Sequence, residues 1–598
     1  MKVWDTLAGI KAPIDAYGSP FGADVRVFVE AINKRGGVGV YVARDDRQAL
    51  QVLSIAKFFQ PHMTQINFPA WDCLPYDRVS PTAHISAMRC SALARLSHRD
   101  PKEKILVVTT ANAMVQRVAP VTKMAEASFA AGVGADVEQQ SLQDYLTING
   151  YMRTDIVREP GEYAIRGGII DIFPPDRIEP VRLDFFGDNL ESIRSFDPET
   201  QVSTNKLKEI AFAPVSEIFF TDEALTLFRR KYLESFGPPG GDPNFESARA
   251  KIRRQGIDQW LPLFHEKLET LLEYAGADAL LGFDNQAEAA GVDRIAQAKD
   301  YFETRVHAAG GDVMEAKVLP PEELYLTEEE FKLTRSSAAV VRFHPFESPE
   351  KKDVLFVGAQ IGKDFAIERS NPEANVFDSA VKLANEHIEN KRKVVFAAWS
   401  AGSADRLKTV LSDHGMPEVR TAEDWSAAKA ANAPVIVETS MEAGFTFNDL
   451  AVIAEQDMLG DKLARPRKRK RKTASYIAEA ASLSPGDMIV HIDHGVGRYE
   501  GLRTVDVGTA PHDCLELVYA GGDKILLPVE NIELISRYGA DSGEGSMDKL
   551  GGAGWQSRKA KAKKNIMEMA GDLIRIAAER EMKKADKTAD ADGLFDEF

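Results

Sequence analysis

Short apolar runs alternate with amphipathic stretches over the first 120 residues. Residues 38–43 (VGVYVA) and 105–109 (ILVVT) are continuous, β-branched and bounded by polar positions, the pattern of strands buried on both faces of a parallel sheet. Residues 85–96, between them, place apolar side chains at helical spacing, so the segment predicts a strand–helix–strand layer. Over residues 125–210 the rhythm becomes strand-like. Residues 163–173 (YAIRGGIIDIF) and 180–186 (PVRLDFF) read as strands, and Gly187-Asp188 marks a turn into a further strand. This predicts a small antiparallel β-rich domain inserted into the α/β one. Helical spacing returns over residues 245–274, read as one amphipathic helix, followed by strands at 277–284 and 338–343. Residues 380–460 repeat the α/β rhythm with strands at 394–399 and 434–439.

The pattern breaks at residues 465–472 (RPRKRKRK), where seven of eight positions are basic. Such a run reads first as a solvated linker, with a strap for nucleic-acid phosphates as the alternative. A β module follows over residues 484–537. Its strands fall at 487–491, 515–519 and 524–529, with a Gly521-Gly522 hairpin turn. The last predicted element is a long helix over residues 555–585, its apolar stripe formed by Ile566, Ala570, Leu573 and Ala577.

A chain of 598 residues is too long for one core and implies several domains. No apolar run approaches the roughly 18 residues needed to span a bilayer, and the first residues lack a signal-peptide pattern. Three scattered cysteines (Cys73, Cys90, Cys514) support neither a disulfide framework nor a zinc ribbon and fit a reducing cytoplasm. The net charge of −17 repels nucleic acid in bulk, so DNA contacts need a local basic patch and most docking surfaces should face proteins.

A nucleotide-driven motor needs GxxxxGK[ST], and no segment matches. Residues 358–363 (GAQIGK) are too short and run into Asp364; residues 18–24 (GSPFGAD) sit before a helix, where such a loop belongs, but lack the lysine. That segment is a degenerate remnant or a plain loop. His491, Asp493 and His494 form a weak metal-ligand cluster, with a polar turn in a β-barrel as the stronger reading. No catalytic residue and no metal site is assigned.

Three segments together carry a family resemblance. Residues 69–81 (PAWDCLPYDRVSP), residues 159–201 (EPGEYAIRGGIIDIFPP to PVRLDFFGDNLESIRSFDPETQ) and residues 486–539 (GDMIVHIDHGVGRYEGL to CLELVYAGGDKILLPVENIELISRYG) resemble, in order, segments of the transcription-repair coupling factors, the Mfd family. The resemblance implies a multidomain α/β and α+β fold. Residues 1–124 and 210–378 would form UvrB-like domains 1a, a degenerate NTPase-like layer, and 1b. Residues 125–209 would form UvrB-like domain 2, and 379–460 a small α/β third domain. A basic linker at 461–482 would lead to a CarD-like, Tudor-type barrel at 483–548 that binds RNA polymerase, and a relay helix would occupy 549–598. The family's double-stranded-DNA translocase, which uses ATP and magnesium, and its inhibitory C-terminal domain are expected to lie outside this sequence; no cofactor is expected within it.

By the same resemblance Arg166, Arg182 and Phe186 match the family's UvrA contacts, and Val505 its contact with the polymerase β subunit. Arg182, Asp184 and Phe186 alternate, so in a strand they share one face. An arginine beside an exposed aromatic is a common hot-spot pair; the alternative is a core Phe186 with solvated arginines. Residues 502–507 (LRTVDV) read as an edge strand able to recruit a partner strand, or as an ordinary barrel strand. The implied partners are UvrA, the polymerase β subunit and, mainly through the motor, double-stranded DNA, with a monomeric cytoplasmic protein and no membrane. Two rivals remain: a nucleic-acid-dependent ATPase or DNA-binding module, and a CarD-like transcription regulator, which explains only residues 484–540.

Overall fold

Seven strands, all parallel, form the largest sheet, in the order Val354–Phe356, Ile14–Tyr17, Val340–His344, Leu280–Phe283, Val38–Ala43, Ile105–Thr110, Thr64–Phe68. In the computed structural model the described residues are 3–77, 79–175, 177–311, 316–336, 339–346, 354–371, 374–460, 485–491, 494–507, 510–528, 535–537 and 547–550, and side chains within 505–513, 528 and 536–537 are not described. The chain divides into two compact units, 1–464 and 465–598. Among the described residues no helix is long and apolar enough to cross a membrane.

Val38–Ala43 and Ile105–Thr110 are buried along their whole lengths, because both faces of the sheet are covered. Helices Ala23–Arg35 and Asp46–Phe59 pack Val25, Phe28, Val29, Val52 and Ile55 on one face, against Tyr41, Leu106 and Val108. Helix Ala83–Ser97 brings Cys90, Leu93 and Leu96 to the other, against Val40, Val42 and Val107. The second helix begins at Asp45, whose carboxylate accepts from Gln48 N at 2.8 Å, closing an otherwise open donor.

Between the first and second groups of sheet strands lies a second sheet of six strands. Its order is Ser203–Leu207, Asn189–Phe196, Val181–Phe186, Ile169–Ile172, Glu162–Arg166, Met152–Arg153. All neighbours are antiparallel except the last pair. The run read from sequence as one strand over 163–173 is a hairpin, because Gly167 adopts φ 62° and turns the chain. Helix Gln139–Ile148 lays Leu142 and Leu146 on one face, against Tyr163, Ile170, Ile172, Val181, Leu183 and Ile193.

The two sheets are tied by a buried ion pair. Arg89 Nε donates to Glu217 Oε1 at 2.9 Å, with the side chains 0% and 7% exposed. Arg89 also donates to the Pro69 carbonyl at 3.0 Å, and its guanidinium lies 4.4 Å from the Phe68 ring centre and 5.7 Å from that of Trp71. The second carboxylate oxygen of Glu217 accepts from Ala119 N at 3.1 Å. One pair thus fixes the aromatic segment after residue 68, the loop near residue 119 and the return from the inserted sheet.

A third sheet, Ala359–Ile361, Phe445–Phe447, Leu450–Ala454, Lys393–Ala398, Val435–Glu438, Arg420–Thr421, follows in the same unit. Its inner face shares one core with the first sheet's helices: Val395, Trp425, Val435 and Phe445 join the cluster of Phe28 and Ile55. At that seam Arg26 pairs with Asp449 at 3.1 Å and sits 4.8–5.9 Å from the ring centres of Trp425, Phe447, Phe59 and Trp4.

The single helix expected over 245–274 is not formed. Three short pieces replace it: Pro243–Arg249, a 3-10 turn Ile257–Phe264, and Leu271–Ala275. Lys251 (φ 61°) and Gly256 (φ 81°) leave helical space, Pro262 removes an amide donor, and Thr270 starts a new capping box with Glu273. The apolar spacing was real, but it serves the separate packing of Trp260, Leu261, Leu263 and Phe264 around Phe228.

The second unit's described strands form one antiparallel sheet: Lys524–Pro528, Ala510–Val518, Gly495–Val507, Met488–His491, Ile535–Arg537. Ile489, Tyr499, Leu515, Leu517, Tyr519 and Leu527 are its core. Gly521 (φ 96°) and Gly522 (φ 86°) make the expected hairpin turn, closed by Gly522 N to the Tyr519 carbonyl at 3.1 Å. The basic run at 465–472 and the helix expected over 555–585 lie outside the described residues.

Replacing Arg89 by Ala strands the Glu217 carboxylate in a buried site. The expected cost is about 3–5 kcal/mol, read as a lower denaturation midpoint for the 1–464 unit in urea, whereas exposed Arg230→Ala, at the Glu266 surface pair, should change it by less than about 1 kcal/mol.

Candidate protein-docking surfaces

The loop of residues 18–22 joins strand Ile14–Tyr17 to helix Ala23–Arg35, the place where α/β nucleotide enzymes hold a phosphate on a helix N-terminus. Here an internal carboxylate fills that place. Asp24 accepts from Gly22 N at 2.8 Å, from Val25 N at 2.6 Å and from the Tyr41 hydroxyl at 2.6 Å. Burial pushes its carboxyl up to about 7 despite those donors, with nearby Asp284 adding in the same direction. The third sheet covers the loop: a Cβ on Gly22 would stand 2.7 Å from the Phe445 ring. The other glycine-rich run is also structural. Gly362 packs so closely on Gly444 that a Cβ would come within 2.7 Å of its backbone, and Lys363 pairs with Glu368 at 2.5 Å.

The six-stranded sheet leaves its second face toward polar groups. Strand register puts Arg166 opposite Ile169, Asp171 opposite Arg182, and Phe186 opposite Asn189. Alternation then places Arg166, Arg182, Asp184 and Phe186 on the face away from the Leu142–Leu146 helix. The three residues of 182, 184 and 186 share a face, as the alternating pattern predicts, yet their environments differ sharply.

Phe186 is 77% exposed beside the Gly187 turn, so it is not core. Arg166 is exposed and donates to the Asp155 carbonyl at 2.9 Å. Arg182 is held: it grips Asp171 through two bonds, 2.7 and 2.9 Å, and lies over the Phe196 ring at 4.7 Å. Its side chain is 16% exposed and that of Asp171 is 1% exposed. The Asp171 hydrogen bonds hold the guanidinium above its ordinary range. Asp184, the sequence neighbour, is taken by Arg194. Neither Asp171 nor Arg194 stands out in the sequence, since their pairing depends on cross-strand register.

In the second unit Val505 lies on strand Gly495–Val507, opposite His512. The first part of that strand is interior, paired to Met488–His491 on one side and to Ala510–Val518 on the other. From Gly501 onward, past a register shift, only the second pairing continues among the described residues. The expected edge strand is therefore the outer half of an interior strand; the Val505 side chain is outside the described residues. His491 is buried and its ring stands 4.5 Å from that of His494; Asp493 is outside the described residues. Among the described residues no group of three metal-ligating side chains converges.

Three stretches match known domain families: residues 130–218 the UvrB interaction domain, 388–458 the MFD D3 domain, and 483–539 the CarD-like/TRCF RID domain. Along most of its length the chain is similar to proteins named transcription-repair-coupling factor. It is 31% identical to that of Myxococcus xanthus over 563 residues, 89% of this chain and 46% of the relative. It is 30% identical to that of Escherichia coli strain K12 over 581 residues, 95% and 49%, and 29% identical to that of Rickettsia bellii over 553 residues, 91% and 47%. The chain thus spans about half the length of these relatives.

Two outcomes follow from this geometry. Arg182→Ala should lower stability by about 3 kcal/mol by leaving Asp171 buried and unpaired, whereas Phe186→Ala should leave the thermal midpoint unchanged; scanning calorimetry of both variants separates the roles. For Asp24, a carboxyl raised in the fold binds more protons folded than unfolded between pH 4 and 7. Stability should therefore fall as pH rises through that window and level off above about 7. Asp24→Asn, which stays neutral, should flatten that slope in urea titrations at stepped pH.

Proposed function

The chain belongs to the transcription-repair-coupling-factor family, and on that premise we propose that it is an adaptor in transcription-coupled nucleotide excision repair. It joins stalled RNA polymerase to the recruitment of UvrA. The observation that carries this reading is one chain presenting, in order, a UvrB interaction domain with an exposed Phe186 and a CarD-like/TRCF RID domain. UvrA docks on the open face of the six-stranded sheet through Arg166 and Phe186. Arg182 acts there mainly by positioning, since Asp171 already holds its guanidinium.

The polymerase β subunit adds a strand along the outer half of Gly495–Val507, near Val505. There backbone pairing supplies affinity and side chains supply choice of partner. In this reading residues 1–124 and 210–378 are UvrB-like domains 1a and 1b, 125–209 domain 2 and 379–460 the third domain. Residues 483–548 are a Tudor-like module, and 461–482 and 549–598, which lie almost wholly outside the described residues, are the linker before it and the segment toward the ATP- and magnesium-dependent DNA motor of the whole protein. The protein works in the cytoplasm as a monomer and needs no cofactor of its own.

The rival reading, an ATPase in the first α/β layer, is disfavoured by Asp24. A nucleotide phosphate brought to residues 18–24 would meet a carboxylate that already uses the helix-end amides, under the cover of Phe445.

Titration calorimetry of UvrA tests the docking face. Phe186→Ala should weaken binding by about 2 kcal/mol, roughly thirtyfold, and Arg166→Ala by a smaller amount; equal affinity in wild type and both variants would remove the assignment. For the polymerase surface, Val505→Arg should abolish capture of the β subunit while circular dichroism is unchanged. Capture at wild-type level would move the contact elsewhere on the second unit.

A further inference from the structure

A cavity of about 650 Å³ lies in the first unit, and none of Arg166, Arg182 and Phe186 lines it. Its wall is formed by residues 76–77, 242–244, 254–260 and 316–319 together with Arg305. They are laced together. Tyr76 N donates to Gln259 Oε1 at 3.2 Å, Ser80 N to Gln255 Oε1 at 2.9 Å, and Gly256 N to the Ser80 hydroxyl at 2.9 Å. The Trp260 indole donates to the Lys317 carbonyl at 2.9 Å. The wall is therefore fixed before any ligand arrives.

Strain collects here. Six non-glycine residues of the described chain have positive φ, and two of them, Tyr76 (φ 59°) and Lys317 (φ 54°), line this cavity. A third, Lys251 (φ 61°), is three residues before Arg254. A left-handed backbone at a bulky side chain costs roughly 1–3 kcal/mol and persists only where the surroundings impose it, which is characteristic of ligand sites. The cavity also holds unused donors. The Gln259 side-chain nitrogen, on a residue 8% exposed, has no hydrogen-bond partner among the described residues. Arg254 and Arg305 line the cavity, and neither makes a side-chain hydrogen bond or ion pair to a described residue. Two carboxylates share the lining. That of Asp242 is engaged by Asn244 N and the Tyr232 hydroxyl at 2.8 and 2.7 Å, and Asp77 has a partner of its own.

We propose that this cavity binds a phosphate oxyanion, gripped by Arg254 and Arg305 and by the Gln259 amide. Guanidinium groups match phosphate geometry better than any other side chain. The phosphate can come from nucleic-acid backbone or from a free nucleotide, and the two sources are separable.

The full chain and its Arg254→Glu/Arg305→Glu variant are compared by fluorescence polarisation on a labelled duplex and by calorimetry with ATP. Wild type should bind one of the probes, and the double variant should bind it at least tenfold more weakly. On duplex, the slope of log affinity against log salt should also shrink by about 0.9 for each phosphate that the variant no longer neutralises. Both arginines are at the surface of the cavity, so the fold should survive, as checked by thermal midpoint; Arg254→Gln/Arg305→Gln supplies the same comparison if it does not. Binding of neither probe by wild type, or binding with wild-type affinity and slope by the variants, overturns the proposal, since the latter would place all nucleic-acid affinity elsewhere, for example in residues 465–472.

Discussion

A guanidinium and a carboxylate taken wholly out of water hold the first unit in register. Arg89 is 0% exposed, and such a charge is tolerated only when it is paired and hydrogen-bonded. Glu217 answers it from the segment that leaves the inserted sheet, and Pro69 from the aromatic segment that leaves the first. Two connections that are far apart in sequence are therefore fixed at one point. The face bearing Phe186 is carried on that connection, so it inherits its orientation from a pair buried in the neighbouring layer.

A second charged group plays the same part on the opposite side of the parallel sheet. Arg26 is buried among four aromatic rings and reaches Asp449 of the third sheet. Burial lowers the affinity of its guanidinium for the proton, and Asp449 opposes that loss. Two residues away, Asp24 occupies the helix end that faces the same seam. The first layer has the strand–loop–helix framework of a nucleotide site, but its anion position and its cover are both supplied by the chain. The framework has been turned into a joint.

Much of this was readable in advance where the signal is local. Residues 38–43 and 105–109 announce buried strands because a parallel sheet needs apolar side chains on both faces, and the Gly187 and Gly521-Gly522 turns announce hairpins because few other residues tolerate those angles. The shared face of Arg182 and Phe186 follows from alternation alone. What alternation cannot supply is the opposite strand: Asp171 lies eleven residues from Arg182 in sequence, and only the register reveals that the arginine is already spent. The misread helix over 245–274 has the same origin. Its spacing reports burial, and a chain broken by Lys251, Gly256 and Pro262 can bury the same side chains in three pieces.

The strand order of the large sheet has a consequence for the nascent protein. Ile14–Tyr17 is flanked by Val340–His344 and Val354–Phe356, and Val38–Ala43 waits for Leu280–Phe283 on one side. At the usual pace of synthesis, about 5–20 residues per second, the earliest strand spends on the order of tens of seconds without either neighbour. Over that interval apolar strand edges and the faces beneath the uncompleted layer stand open on the ribosome, while the six-stranded sheet, whose strands lie within residues 152–207, has everything it needs to close. The inserted sheet that bears Phe186 is thus free to close before the seven-stranded layer around it is complete.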